Sequence, residues 1–506
     1  MGKLLPSWRQ ALIDEMVTNI ESNTSHYYAF AGLSYNESSA NTDYVNLFNT
    51  GWNLLFGKKL ANTDIIPVIK NNSWVSNTVY DRYDNTSNTL HTNGNFYVIS
   101  PPPQIGGSYN VYKCIDNANG ATSTVQPVLV QPTTFQTSDG YKWRYLTSIQ
   151  YKDYITLSTT NYTPVYVNPT ISASAQTYSG VEVVMIQNSG NGYSTHHDGI
   201  IRSIVNTTVV EIETSASLDN DFYTNSSIYI YNTSQATSQL FGISQYVSNT
   251  AGRWVYLDAP ANTTNITPSI TQYKISPKVV FTTDGSSDPV AYSIVNTTSN
   301  SISNVVILDS GANITWANVA IQCNTSYGSG INVYAIVPPP GGHGQNPVAE
   351  LDVKGISLNF VFANTESNTI VTSNVAYDMI GILKNPYVSN NTSFAKGDRY
   401  TSNTFNQVLK ANVGLTFTTG ELVTGANSGA LGKVVFSNAT MIYLIGDKYF
   451  QNGESVIAAN GATTALVINT HPQVYSKDLI PMYIQNINSI NRLDTQSESY
   501  SLIIQF

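Results

Sequence analysis

The stretch SDGYKWRYL, residues 138–146, sets three aromatic rings at every second position behind an Asp-Gly pair, with a lysine and an arginine between them. Two-residue periodicity places Tyr141, Trp143 and Tyr145 on one face of a strand and Lys142 and Arg144 on the other. A nucleic-acid groove needs cations beside its stacking rings on one surface. Here they point apart, so the stretch predicts a packed β-strand. VYKCID, residues 111–116, alternates in the same way ahead of the turn NANG.

Outward from this stretch the chain keeps the same character. Short Val, Ile, Thr and Tyr runs are punctuated by Asn, Gly, Ser and Pro, which predicts a mainly β protein. At 506 residues it is too long for one compact core and suggests about three domains. One amphipathic helix is expected over 7–21. Ser7 and Gln10 have capping-box spacing, and Leu12, Ile13, Met16, Val17 and Ile20 fall at helical intervals. The last residues put Tyr500, Leu502, Ile504 and Phe506 on one face of a strand that should be paired.

Charged residues make up 11% of the chain, the formal net charge is −9, and Tyr alone contributes 34 residues. The surface should therefore be neutral and rich in hydroxyls and amides. Scattered basic residues argue against a nucleic-acid partner. No apolar run is long enough for a membrane helix, and MGKLLPSWRQALIDEM lacks the features of a signal peptide, so a soluble, unprocessed protein is expected. Pro6 stands where a myristoylation motif wants Ser or Thr. Asn-x-Ser/Thr triplets, as at Asn23, Asn206 and Asn324, read as turn chemistry in a chain without a leader. Cys114 and Cys323 have neither zinc nor disulfide-framework spacing and are expected to be buried thiols.

Two near-repeats stand out. FTTGELVTGANSGALGKVV from Phe417 and FQNGESVIAANGATTALVI from Phe450 match at an offset of 33, which suggests a small duplicated β unit. Their glutamates, Glu421 and Glu454, read as turn or edge residues. VVMIQNSGNGYS at 183 and VVILDSGANIT at 305 form a weaker echo, suggestive of duplicated hairpins. Proline triplets at Pro101–Pro103 and Pro338–Pro340 mark loops at module edges.

Local signatures of chemistry are sparse. His196, His197 and Asp198 lack a companion ligand at metal spacing and read as a surface loop. Asp284 and Asp288 sit in TTDGSSDPV, which lacks the ligand pattern and closing Glu of an EF-hand and reads as a turn. PPPGGHGQNP, residues 338–347, is no phosphate-binding loop and reads as a rigid connector or a partner contact. No nucleophile elbow, His-Glu-x-x-His or Cys-x-x-Cys occurs. The expectation is no catalytic, cofactor-binding or metal-binding residues, no cofactor and no small-molecule substrate.

HYYAFAG at 26, Trp74 to Tyr80, NFYVIS at 95, Tyr112 to Asp116, Asp139 to Leu146 and the closing stretch through Phe506 are unusual in combination. As an ordered set they resemble the gene product eight family of baseplate wedge proteins in T-even-type contractile-tailed bacteriophages. The resemblance covers roughly the first third and the last 25 residues. It implies a structural, non-enzymatic virion protein: a homodimer that joins other wedge proteins in the tail baseplate, is assembled in the host cytoplasm and takes part in baseplate rearrangement on infection. On that footing the expected architecture is a set of β-sandwich-like modules. A wedge-like domain at 1–166 would receive a C-terminal segment at 475–506. Inserted β modules would lie at 167–280 and 401–474, and a central one at 281–400. The alternatives are a receptor- or glycan-binding tail fibre or tailspike, for which Tyr- and Asn-rich β surfaces are suited, and a polysaccharide-degrading enzyme.

Overall fold

The computed structural model describes residues 6–21, 25–34, 54–87, 89–363, 376–386, 399–400, 407–411, 417–418, 420–437, 441–446, 448–458, 461, 463–464, 467–470, 480–493 and 496–505. The protein is mainly β, with 48% of the described residues in strands and 10% in helices. It divides into two compact units, one built from Met1–Val68 with Lys354–Phe506 and the other from Ile69–Val353. Residues 69–166, expected to group with the N-terminus, thus belong with the segment that follows them. Asn23 and Phe506 lie outside the described residues.

In the unit that holds both chain ends, the helix runs Pro6–Glu21. Ser7 is inside the first turn and not its cap: proline with its fixed φ is already suited to the opening position. Gln10 accordingly does not reach back, and its amide donates to Asp14 at 2.7 Å. Ile13 and Met16 are buried while Leu12 is exposed, so the inward stripe is narrower than the periodicity suggests. A five-stranded antiparallel sheet follows the order Arg399–Tyr400, Leu54–Lys59, Tyr27–Gly32, Ala376–Lys384, Ile480–Asn491. Its middle strand, YYAFAG, is buried at all six positions, which explains its unbroken apolar run.

The C-terminal strand Ser497–Gln505 pairs along its whole length with Gly355–Ala363, from Ala363 opposite Ser497 to Gly355 opposite Gln505. Leu502 is buried and Tyr500 and Ile504 half-buried, as the alternation predicts. Gly355–Leu358 pairs on its other side with Ile65–Val68. Arg492 is fully buried: its Nε donates to Glu498 at 3.1 Å, an NH2 donates to the Phe362 carbonyl at 3.2 Å, and its guanidinium lies 5.2 Å from the Phe56 ring centre.

The Phe417/Phe450 repeat forms part of a seven-stranded sheet. Equivalent strands Leu422–Gly425 and Val456–Ala458 pair antiparallel: Val423 faces Ala458, Thr424 faces Ile457 and Gly425 faces Val456. Because equivalent residues are 33 apart, Thr424 faces its own counterpart. The two copies are therefore related by a local two-fold passing through that pair. Phe417 and Phe450 enter one shared core. Each glutamate closes the same turn: Glu421 accepts from the Thr418 amide and Glu454 from the Gln451 amide. Glu454 also accepts from the amides of Asn427 and Ser428 at 2.9 and 2.8 Å and so pins one copy's loop to the other.

In the Ile69–Val353 unit, a four-stranded sheet runs Tyr97–Ser100, Tyr109–Asp116, Lys142–Ile149, Phe135–Gln136. The opening stretch is its third strand. Tyr141, Trp143 and Tyr145 are buried as expected, in a core with Tyr80, Tyr112 and Cys114. The opposite face is covered as well, since Arg144 is only 1% exposed.

Beyond this sheet the hydrogen-bonded order closes on itself. His197–Ile200 pairs with Gln272–Thr283 and, after a break at Ile201 and Arg202, Ser203–Asn206 pairs with Val209–Glu211. From there the order passes through Arg253–Leu257, Thr237–Ser248 and Ser226–Asn232 and back to Gln272–Thr283. The result is a small closed barrel, an arrangement that leaves no open edges around the ring. Ile201, Ile228, Tyr246 and Tyr273 are among its interior side chains.

The second half of Gln272–Thr283 leaves the barrel and pairs with Ala317–Gln322. The two echo segments do not form duplicated hairpins. Val183–Asn191 pairs with the distant Ser329–Ile336, whereas Ser301–Asp309 forms a local hairpin with Val290–Asn296. They are tied to each other at their ends, where Val181 N–H donates to the Ser310 carbonyl and Tyr193 N–H to the Asn300 carbonyl, both at 2.8 Å.

Truncating Phe450, 2% exposed in the shared repeat core, removes a large buried ring and leaves a cavity. Phe450→Ala should cost about 3–5 kcal/mol, seen in urea denaturation as an earlier transition of the unit that contains the repeat.

Candidate functional site

The covered face of the opening strand carries the densest grouping of buried charge among the described residues. Lys113 and Arg144 are register partners on adjacent strands. Two like charges side by side would repel, and each is matched from another element. Lys113 Nζ donates to Glu350 Oε1 at 2.8 Å, and Arg144 lies 3.3 Å from Glu182 Oε1. Arg144 also donates to the Tyr178 carbonyl at 3.2 Å.

The loop expected to be a connector or partner contact, PPPGGHGQNP, supplies the rest. His343 is buried, so the middle of the loop packs into the interior of its unit, while Pro340 and Gln345 stay exposed. Glycine is required where the chain folds in. Gly342 has φ +88°, and a Cβ there would lie 2.2 Å from the Ala175 carbonyl oxygen. Asn346 caps the short helix Pro347–Glu350 by accepting from the Ala349 amide at 3.2 Å. Glu350 is thereby aimed at the sheet. It accepts from His343 Nδ1 at 2.8 Å and from the Gly344 amide at 2.7 Å. The Lys113 ammonium lies 3.4 Å from the centre of the Tyr83 ring.

Burial alone would raise the Glu350 carboxyl, but Lys113 and His343 outweigh it and hold it down to about 2. Burial lowers Lys113 to about 8 against the pull of Glu350. At neutral pH the pair is ionic. Burial, reinforced by Lys113, pushes His343 below its usual value. Two cations, two carboxylates and a neutral imidazole leave the layer without net charge.

The other sequence candidates resolve separately. His197 lies in a strand and not a surface loop: its Nδ1 meets the Tyr273 hydroxyl at 2.8 Å and its Nε2 the Ser215 hydroxyl at 3.3 Å. Burial lowers its pKa. Asp198 pairs with Lys274 at 2.7 Å on the exposed side, and His196 is 3.4 Å from Asn300. Asp284 accepts from the amides of Thr315 and Trp316, both at 2.9 Å, and Asp288 from the Thr283 hydroxyl, so this segment is a braced turn. Asn206 and Asn324 accept from amides two residues on. Cys114 is buried, whereas Cys323 is only half-buried; both are free thiols. Among the described residues no group of three or more His, Cys, Asp or Glu side chains is poised to hold a metal ion, and no helix is long and apolar enough to cross a membrane.

Two adjoining clefts open beside the buried ionic layer, of about 600 and 270 Å³. Gln136, Lys142 and Glu182 line both. The larger lies where the echo strands diverge between their tied ends, with Val183–Ile186 on one side and Ser303–Val306 on the other. The smaller reaches Arg144, Phe135 and Tyr178. Sequence reading missed this region because its residues come from distant segments. A usable signal was present: a lysine inside an alternating strand of a charge-poor chain needs a buried partner. No protein-family model matches the chain, and no curated protein matches it.

Lys113→Met strands the Glu350 carboxylate in the interior and should cost about 3–5 kcal/mol, most of it recovered by the double change Lys113→Met/Glu350→Gln. Both are readable from urea denaturation midpoints. The folded pKa of Glu350 lies below its ordinary 4.5, so the unfolded chain takes up protons first. Stability of this unit should fall as pH drops from 4.5 toward 2, and Glu350→Gln should flatten that slope.

Proposed function

We propose that this protein is a structural subunit of a contractile-tail baseplate wedge, homodimeric and joined to other wedge proteins in the phage virion. It is assembled in the host cytoplasm and takes part in the rearrangement of the baseplate on infection. The resemblance of its first third and last 25 residues carries the family assignment. The observation that favours an assembling role is an uncovered apolar segment. Between Asp116 and Asp139 the chain has no charged residue. Within that span Val128, Leu129 and Val130 are 49%, 50% and 59% exposed.

Prolines 127 and 132 bracket the trio, and they favour extended backbone in the residues before them. None of the three belongs to a strand of the protein's own sheets. Ile105, 98% exposed, comes from a neighbouring loop: Ser100 donates to the Pro127 carbonyl and Gln126 to the Pro101 carbonyl, each at 2.7 Å. Single exposed apolar residues are ordinary, but a contiguous uncharged patch marks a contact surface. The segment lies outside every strand and lacks the charges by which edges ordinarily avoid association. In this reading a neighbouring wedge protein covers the patch.

Light scattering should give a dimer of twice 55.2 kDa that shifts to a larger stoichiometric species with the wedge proteins encoded in the same genome. Leu129→Asp should abolish the shift while leaving the thermal midpoint unchanged. A stable trimer indifferent to those proteins would overturn the proposal and favour a tail fibre.

A further inference from the structure

The Glu350 knot holds more than a salt bridge requires. Lys113 Nζ and His343 Nδ1 each lie 2.8 Å from the same carboxylate oxygen, Oε1, and 3.3 Å from one another. The other oxygen, Oε2, accepts from the Gly344 amide at 2.7 Å. A nucleophilic nitrogen, a carboxyl carbon, a ring that can carry a proton and a backbone donor thus meet at one point. No other lysine among the described residues is buried.

The surroundings suit a condensation between the two side chains. The Lys113 side chain is 0% exposed and that of Glu350 3%, so bulk water is kept from the reacting atoms. The Tyr83 ring covers the ammonium at 3.4 Å and stands edge-on to His343, with ring centres 5.1 Å apart. Burial lowers Lys113 to about 8, which eases loss of its proton, and a desolvated lysine amine is an activated nucleophile. Contact held by the fold also removes the entropic cost of bringing the two groups together.

We propose that Lys113 and Glu350 condense into an intramolecular isopeptide bond, with His343 carrying the proton. The ion pair is the resting form. Transfer of one proton from Nζ to Oε1 gives an amine and an acid with no change in net charge. The nitrogen lone pair attacks Cδ, and negative charge develops on Oε2, where the Gly344 N–H already donates. His343 Nδ1 gives its proton to Oε1 and takes one from the attacking nitrogen. The Cδ–Oε1 bond breaks, water leaves and the Nζ–Cδ amide remains. An ammonium and a carboxylate have become an amide and one water, with no oxidant or cofactor. The residues are 237 positions apart, so the bond closes a covalent ring that keeps the proline-glycine loop on the sheet. The acid-dependent stability described above belongs to the pair before condensation.

The test follows the intact mass of the full-length protein held for days at pH about 8, where Lys113 begins to lose its proton. The mass should fall by one water, and digestion should yield a branched peptide that joins the segments carrying Lys113 and Glu350. Glu350→Gln should reach the same final mass, because the amine then displaces ammonia. His343→Gln should slow the loss of water about a hundredfold, with circular dichroism showing that the fold is kept. Should a variant fail to fold, the wild-type mass and the branched peptide decide alone. The inference is overturned if folded wild-type protein keeps its full mass, or if folded His343→Gln reacts at the wild-type rate. A water loss that maps to a linear peptide, as cyclisation at Asp139-Gly140 would give, also overturns it. None of these outcomes bears on the wedge reading, which is tested by assembly.

Discussion

The Ile69–Val353 unit is organised around one carboxylate. Glu350 gathers Lys113 from the sheet, His343 from the proline-glycine loop and the Gly344 amide into a single buried knot. Each contact specifies the position of another element, so the loop cannot lift and the sheet cannot slip without exposing an unmatched charge. Buried ion pairs are weak sources of net stability, because desolvation offsets most of their attraction. Their strength is discrimination: alternative packings that separate Lys113 from Glu350 are several kcal/mol worse. In a chain with so few charged residues, placing four of them beneath one sheet reads as specification of a single arrangement.

The same constraint explains how the opening stretch could be read half correctly. Alternation of ring and cation announces a strand, and the burial of Tyr141, Trp143 and Tyr145 follows from it. Alternation does not say that the second face is wet. Arg144 is buried because Glu182 and the Tyr178 carbonyl cover it, and both arrive from beyond the strand. Lys113 is a sharper case: its partner is 237 positions away, and nothing near Glu350 in the sequence marks that residue. The N-terminal helix, the C-terminal strand and the tandem repeat were legible because their signals are local periodicities. The ionic knot, the barrel closure at Ile201 and the clefts were not, since each depends on which distant segments meet.

The barrel shows how a β chain of this composition manages its edges without charge. Charged edge residues are one defence against unwanted pairing, and closure is another. Residues 197–206 serve two neighbours by changing partner across a break at Ile201 and Arg202, so a single segment seals the ring. In the terminal unit, the repeat uses a different device. Its two copies pair their equivalent strands about a local two-fold, and Glu454 then binds the opposing loop through backbone amides. Burial would raise that carboxyl, but the bonds from Ser428, Gln451 and Asn427 prevail and lower it. In both cases, polar groups act by closing backbone geometry.

Seen this way, the uncovered features carry more weight than they would in a charge-rich protein. The chain has paired its buried cations, closed its barrel and braced its turns, yet it leaves Val128–Val130 half-exposed and outside every strand. An exposed apolar segment in so charge-poor a stretch is suited to cover by another protein. The patch adds no charge of its own to a charge-poor, tyrosine- and asparagine-rich chain.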